Sequence, residues 1–193
     1  MKRNLFVILL AFFCFVVGYA QQTITPETAL KAYLNNDDPT WGWEIRDEYQ
    51  VNSAKAYSLL FISQKWQGIL WKHELIVFVP DSVKQDGALL FVKGGSLNNE
   101  IPVFSKKDDS LLLFLSDVAT RNSALVCLLK QVPNQPLYGG LIEDPLVFYT
   151  LNEFRKDKDY SWPLLFPMTK AACKAMDAVQ EFATQELDRQ INH

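Results

Sequence analysis

Ala88-Leu89-Leu90-Phe91-Val92-Lys93-Gly94-Gly95-Ser96 is the stretch that decides the fold. Its first five residues are apolar without alternation. Such a run reads as a strand covered on both faces, as in a parallel sheet, rather than a strand with one wet face. A glycine pair follows at once, where the strand hands over to a loop. Glycines there let the backbone approach a ligand and turn N–H groups toward it, which is how a strand-end oxyanion hole is built. Gly94, Gly95 and Ser96 are therefore the oxyanion-hole candidates. An ordinary turn is the plainer alternative.

Downstream the texture continues. Asp108-Asp109-Ser110 supplies a helix start, and Leu111, Phe114, Leu115 and Val118 recur at helical spacing to about residue 120. Residues 124–129 form a second apolar strand, and 133–140 a loop. Asp144-Pro145 opens another helix, to about residue 155. Pro163 and Pro167 bracket a short connection. Residues 168–187 then read as a long helix with Ala172, Ala175, Met176, Val179, Phe182 and Ala183 on one stripe. Upstream, Thr25-Pro26-Glu27 starts a helix that runs to about residue 34. Residues 43–50 and 55–64 read as a hairpin joined through Asn52-Ser53. Residues 70–79 form a longer strand, with Trp71, His73, Leu75, Val77 and Val79 on one face. Strands come first, then strand–helix–strand–helix–helix. That order predicts an α/β fold: a mixed sheet with antiparallel entry strands followed by βα units.

The chain has 193 residues, 49% of them hydrophobic, and a net charge of −3. This composition fits one globular domain and excludes disorder as the whole answer. A mildly acidic chain with no basic run is a poor partner for nucleic acid or an anionic membrane. Residues 1–20 read as a secretory signal peptide: Lys2 and Arg3, an uncharged apolar run over 5–17, then Gly18-Tyr19-Ala20. The run is shorter than the roughly 20 residues of a spanning helix, so no stable membrane anchor is expected after cleavage. Ala11-Phe12-Phe13 ahead of Cys14 lacks the small residues of a lipoprotein signal. The expectation is an exported protein, periplasmic or extracellular, with its domain over residues 21–193. Cys127 and Cys173 read as small buried thiols, although an oxidising compartment permits a bridge.

Much familiar chemistry is missing from the sequence. It has no Gly-x-Ser-x-Gly elbow, no Walker loop and no Gly-x-Gly-x-x-Gly. Two histidines without Cys-x-x-Cys exclude ordinary zinc sites, and no cofactor is implied. His73 is either a base or a packed strand histidine, and packing is expected. Trp41, Trp43, Trp66 and Trp71 could line a sugar or aromatic pocket, but packing is again the expected role. The mixed charges at 155–159 read as a solvated helix end. No complete catalytic constellation can be assembled.

Several blocks carry a family likeness: Leu70-Trp71-Lys72-His73-Glu74-Leu75, Val79-Pro80-Asp81, and Ala88-Leu89-Leu90-Phe91 with Gly94-Gly95-Ser96. To these add Gln131-Val132-Pro133-Asn134-Gln135-Pro136, Trp162-Pro163-Leu164, Pro167-Met168-Thr169-Lys170-Ala171-Ala172, Ala175-Met176-Asp177 and Val179-Gln180-Glu181-Phe182. Together they resemble the PhoPQ-activated pathogenicity-related, autocrine proliferation repressor-like family. The resemblance implies an α/β-hydrolase-like fold in an exported protein, and serine-type acyl hydrolysis in longer members. In those members the helix matching 168–187 leads into a central strand and a nucleophile turn, with the acid and histidine later still. On that reading this chain is an N-terminal portion, truncated before the nucleophile and inactive alone. The small-molecule or peptide substrate belongs to the full-length parent. The strand at 88–92 is then left with one unpaired edge, and self-association is expected. The alternatives are a secreted, non-catalytic binding or signalling protein on the same fold, and an independent small α/β binding module.

Overall fold

The computed structural model describes residues 24–192. The leader at 1–20, with Cys14, and His193 lie outside the described residues. Helix α1 (Pro26–Leu34) begins with proline in its first turn, where the missing N–H costs nothing. Thr28 Oγ1 accepts the Thr25 N–H at 2.9 Å. Strands β1 (Gly42–Val51), β2 (Ala54–Trp66) and β3 (Ile69–Pro80) follow as an antiparallel meander. The second turn, Gln67-Gly68, has positive φ at both residues, the backbone that suits a two-residue hairpin.

Next come β4 (Ala88–Val92), the short pair β5 (Leu97–Asn98) and β6 (Ile101–Pro102), helix α2 (Ser110–Asn122) and β7 (Leu125–Leu129). Asp109 caps α2, its carboxylate accepting the Leu111 N–H at 2.8 Å. Helices α3 (Glu143–Asp157) and α4 (Leu165–Leu187) complete the described chain. The main sheet has the order β1-β2-β3-β7-β4. β7 runs antiparallel to β3 and parallel to β4, so the sheet is mixed, with antiparallel entry strands followed by βα units.

Alternation along β3 sorts the core. Leu75 and Val77 face α4 and its stripe of Ala171, Ala175, Ala178, Val179 and Phe182. Ile76 and Phe78 face α2 through Leu112, Leu115 and Ala119. The central strands are thus covered on both faces, as their unbroken apolar runs require.

Four readings of the sequence are revised. The β4 run is not covered on both faces: Leu89 and Val92 are each 46% exposed and Phe91 39%. β4 is an edge strand whose sheet partner, among the described residues, is β7 alone. α4 starts at Leu165, so Pro167 lies inside its first turn, where no i−4 bond is lost. α3 starts at Glu143, one residue before Asp144-Pro145, with Ile142 in the cap position and no side-chain cap. Cys173 is half-buried, not buried; Cys127 and Cys173 are both free thiols, and burial pushes Cys127 up to about 12. Among the described residues no helix is long and apolar enough to cross a membrane.

Candidate functional site

The carboxyl ends of the parallel strands β4 and β7 lie side by side, the place where open α/β sheets gather their ligand groups. The loop after β4 is tied down on either side of Gly94, Gly95 and Ser96. Before them, Lys93 N–H donates to Leu129 O at 2.8 Å, and Lys93 O accepts the Val132 N–H at 3.2 Å. After them, Leu97 N–H donates to Gln135 O at 2.9 Å. The N–H groups of Gly94, Gly95 and Ser96 themselves meet no acceptor among the described residues. Gly94 and Gly95 are half-buried and Ser96 is exposed. Three consecutive free donors at a strand end can receive a negatively charged oxygen.

The first residue of α3 stands over this loop. Glu143 N–H donates to Gln135 Oε1 at 2.9 Å, and Gln135 Nε2 returns a bond to Glu143 Oε1 at 2.7 Å. A side chain at Gly94 would bring its Cβ within 3.9 Å of that carboxylate oxygen. A carboxylate so placed opposes an anion on the nearby donors and favours a ligand that brings a donor of its own.

Behind the loop lies a buried polar network. Glu74 Oε2 accepts from Ser105 N–H at 2.8 Å, Ser105 Oγ at 2.7 Å and Lys130 Nζ at 3.1 Å, while Ser58 Oγ donates to Oε1 at 3.2 Å. The Glu74 side chain is only 1% exposed. It forms the inner wall of a cavity of about 260 Å³ whose outer residues include Arg46, Asp47, Phe104 and Lys107. Both oxygens are already engaged, so the carboxylate serves as a fixed anchor rather than a free base.

His73 sits beside this network and is fully buried. Its Nδ1–H donates to Lys130 O at 2.9 Å, so the neutral ring accepts the Ser63 hydroxyl at Nε2, also at 2.9 Å. This is a serine–histidine contact, but both side chains are sealed at 0% exposure, out of reach of any substrate. Burial holds His73 down to about 4, although the Lys130 and Gln131 backbone bonds pull the other way. A histidine that is harder to protonate when folded than when unfolded destabilises the fold at acid pH. Stability is complete above about 6.5, is lost as pH falls toward 4, and levels off below; the total is on the order of 3 kcal/mol. Urea unfolding from pH 7 to pH 4 should therefore fall more steeply for the wild-type chain than for His73→Gln. Parallel pH profiles for the two proteins would exclude this account.

The tryptophans divide into two groups: Trp41 and Trp43 line an open cleft with Glu181 and Gln185, and Trp66 and Trp71 lie in the core. Trp66 and Trp71 meet edge to face at 5.6 Å in the core, with Trp162 and Tyr138 also against Trp66. Trp41 and Trp43 lie on the α4 side, donating to Lys174 O and Glu181 Oε2. The charges at 155–159 cap the end of α3, as a solvated helix end does. Gln131, Gln135 and Glu143 are the site residues that sequence reasoning missed. The Gln131-to-Pro136 block was visible, but an amide side chain announces no role until its neighbours are known.

The profile of the PhoPQ-activated pathogenicity-related protein family matches residues 30–193. Autocrine proliferation repressor protein A from Dictyostelium discoideum is 32% identical over 166 residues, covering 80% of this chain and 33% of its own length. The chain thus spans about a third of that curated relative. Acetyl xylan esterase 1 from a Thermoanaerobacterium species superposes with a TM-score of 0.47 at 17% identity, over 82% of this chain and 45% of the enzyme.

Proposed function

The chain belongs to the PhoPQ-activated pathogenicity-related protein family, and from that membership we propose that it is the exported, N-terminal scaffold of a serine-hydrolase-type protein. In this reading Gly94, Gly95 and Ser96 hold the oxyanion of an acyl transfer, and the attacking serine lies on a segment outside these 193 residues. One observation carries it: three successive N–H groups without acceptors, fixed at the end of a parallel strand by tethers at Lys93 and Leu97. Donors aimed at developing charge are the part of such a site that a scaffold can preorganise by itself. The sealed Ser63–His73 contact supplies no nucleophile. In the isolated chain the same reading leaves the edge of β4 without the nucleophile strand, and a second copy takes it, since an unpaired apolar strand is a template for pairing.

A fluorophosphonate probe tests the proposal. The 193-residue chain should stay unlabelled, and a longer reading frame that continues it should label at a single serine. Labelling of the short chain would place a reactive serine inside it and overturn the reading. An unlabelled longer frame would favour the secreted, non-catalytic binding or signalling protein.

A further inference from the structure

Gln131 is tied into the molecule more tightly than a loop residue needs. It follows β7 in a left-handed conformation, φ 59°, which is costly for a residue with a side chain. It is also completely buried. The ladder explains part of this. Lys130 N–H still pairs with Glu74 O at 2.9 Å, but Lys130 O is diverted to His73 Nδ1–H. The Glu74 N–H left over is taken by Gln131 Oε1 at 2.8 Å, and Gln131 Nε2 donates to Val103 O at 3.2 Å. The carboxamide therefore stands where a strand carbonyl would have stood, and it cannot swing away without stranding the buried Glu74 N–H and losing its bond to the Val103 carbonyl.

Its other side faces the loop. A Cβ added to Gly95 would lie 3.0 Å from both the backbone nitrogen and Nε2 of Gln131, and 3.2 Å from its Cδ. Contacts that short are tighter than nearly all real Cβ contacts, so a side chain at Gly95 would require Gln131 or the loop to give way by a few tenths of an ångström. Between the tethers at Lys93 and Leu97, Gln131 forms the wall behind the free N–H groups. We propose that Gln131 is the positioning residue of this loop: it presses on Gly95 and keeps the 94–96 donors turned outward. This rests on the oxyanion reading for its purpose, but the mechanical claim stands on the contacts.

Hydrogen exchange at the tethered amides of Lys93, Leu97 and Val132, and an acetate titration followed at the amides of 94–96, separate the two. Gln131→Ala should speed exchange at the tethered amides at least tenfold relative to those of β7, and should weaken acetate-induced shifts at 94–96 by a similar factor. Gly95→Ala leaves the Gln131 bonds to Glu74 and Val103 in place, yet its Cβ needs a few tenths of an ångström from a Gln131 that those bonds hold still, so it should perturb the same amides. It also serves if Gln131→Ala does not fold. In the double variant the contacts with Nε2 and Cδ are gone and only that with the backbone nitrogen remains, so the further effect of the methyl should shrink. Unchanged exchange in Gln131→Ala, or an undiminished Gly95→Ala effect in the double variant, overturns the positioning role. If exchange responds as expected but acetate moves no amide in the wild-type chain, the positioning role holds and the oxyanion reading fails.

Discussion

Raising the concentration of the 193-residue chain should convert it from monomer to dimer and larger species, and lysines placed on β4 should keep it monomeric. The sheet has two outer strands, and they differ in the way that matters. β1 carries Glu44, Arg46, Asp47 and Glu48, and its register slips between Ile45 and Asp47. Charges and a bulge are the usual protection of an edge against pairing. β4 has neither charge nor proline over its five residues, and it exposes Leu89, Phe91 and Val92. Beside it runs an apolar groove of about 480 Å³ lined by Ala88, Leu90, Cys127, Met176 and Ile191, among others. A second β4, arriving antiparallel, would satisfy the free backbone groups of both strands at once and extend the two sheets into one. The contact is the same patch on each copy, so it closes around a twofold axis. Sedimentation or light scattering across a concentration series reads the mass directly. Leu89→Lys with Val92→Lys places one charge on each face of the strand at exposed positions, where the cost to folding is within about 0.5 kcal/mol each. A wild-type chain that stays monomeric throughout, or a double-lysine variant that still associates, would end the proposal.

The difference between β4 as read and β4 as found shows what a sequence can carry. An unbroken apolar run signals that both faces want cover, and the central strands β3 and β7 obtain it from α2 and α4. The run does not say whether a neighbouring strand is present, because strand order is decided by residues far away in the chain. Helix starts were legible where the cap is local, as at Asp109 and Pro26. They were misplaced by a few residues where proline is the main clue, because proline fits several positions of a first turn. At the candidate site, the loop at Gly94-Gly95-Ser96 was legible because a glycine pair after an apolar run marks where a strand ends. Gln131 and Glu143 were not, since their meaning lies in contacts with Gly95, Gly94 and Gln135 that no spacing rule encodes. His73 was correctly expected to be packed, but its two polar partners come from the bulged residue Ser63 and from Lys130 just past β7, and neither could be assigned in advance.

Glu74→Ala should lower the unfolding free energy by about 3–5 kcal/mol, the range for removing one member of a buried ion pair. The size follows from what the substitution strands. Lys130, 15% exposed, loses its carboxylate partner, and the Ser105 N–H and hydroxyl lose the oxygen that holds the segment from Val103 to Ser105 against β3. Ser58 loses its acceptor as well. Each stranded donor carries its own desolvation cost, so the loss exceeds the worth of the ion pair itself. Lys130→Met should cost less, because Glu74 would keep three neutral donors. Glu48→Ala, which breaks the Lys55 pair on an open surface, should cost no more than about 1 kcal/mol. Urea titrations at one protein concentration, so that association through β4 contributes equally, should give that ranking. If Glu74→Ala does not fold, Ser105→Ala removes one donor to Glu74 and one acceptor of Lys130 Nζ, and should cost on the order of 1–3 kcal/mol. A Glu74→Ala loss no larger than that of Glu48→Ala would mean that the network is incidental. A loss of the expected size, accompanied by faster exchange at the bonded amides of Val103, Lys93 and Leu97, would show that the anchor at Glu74 reaches the donor loop through Gln131. That coupling follows from the geometry, because Gln131 spans the Glu74 N–H and the Val103 carbonyl while pressing on Gly95.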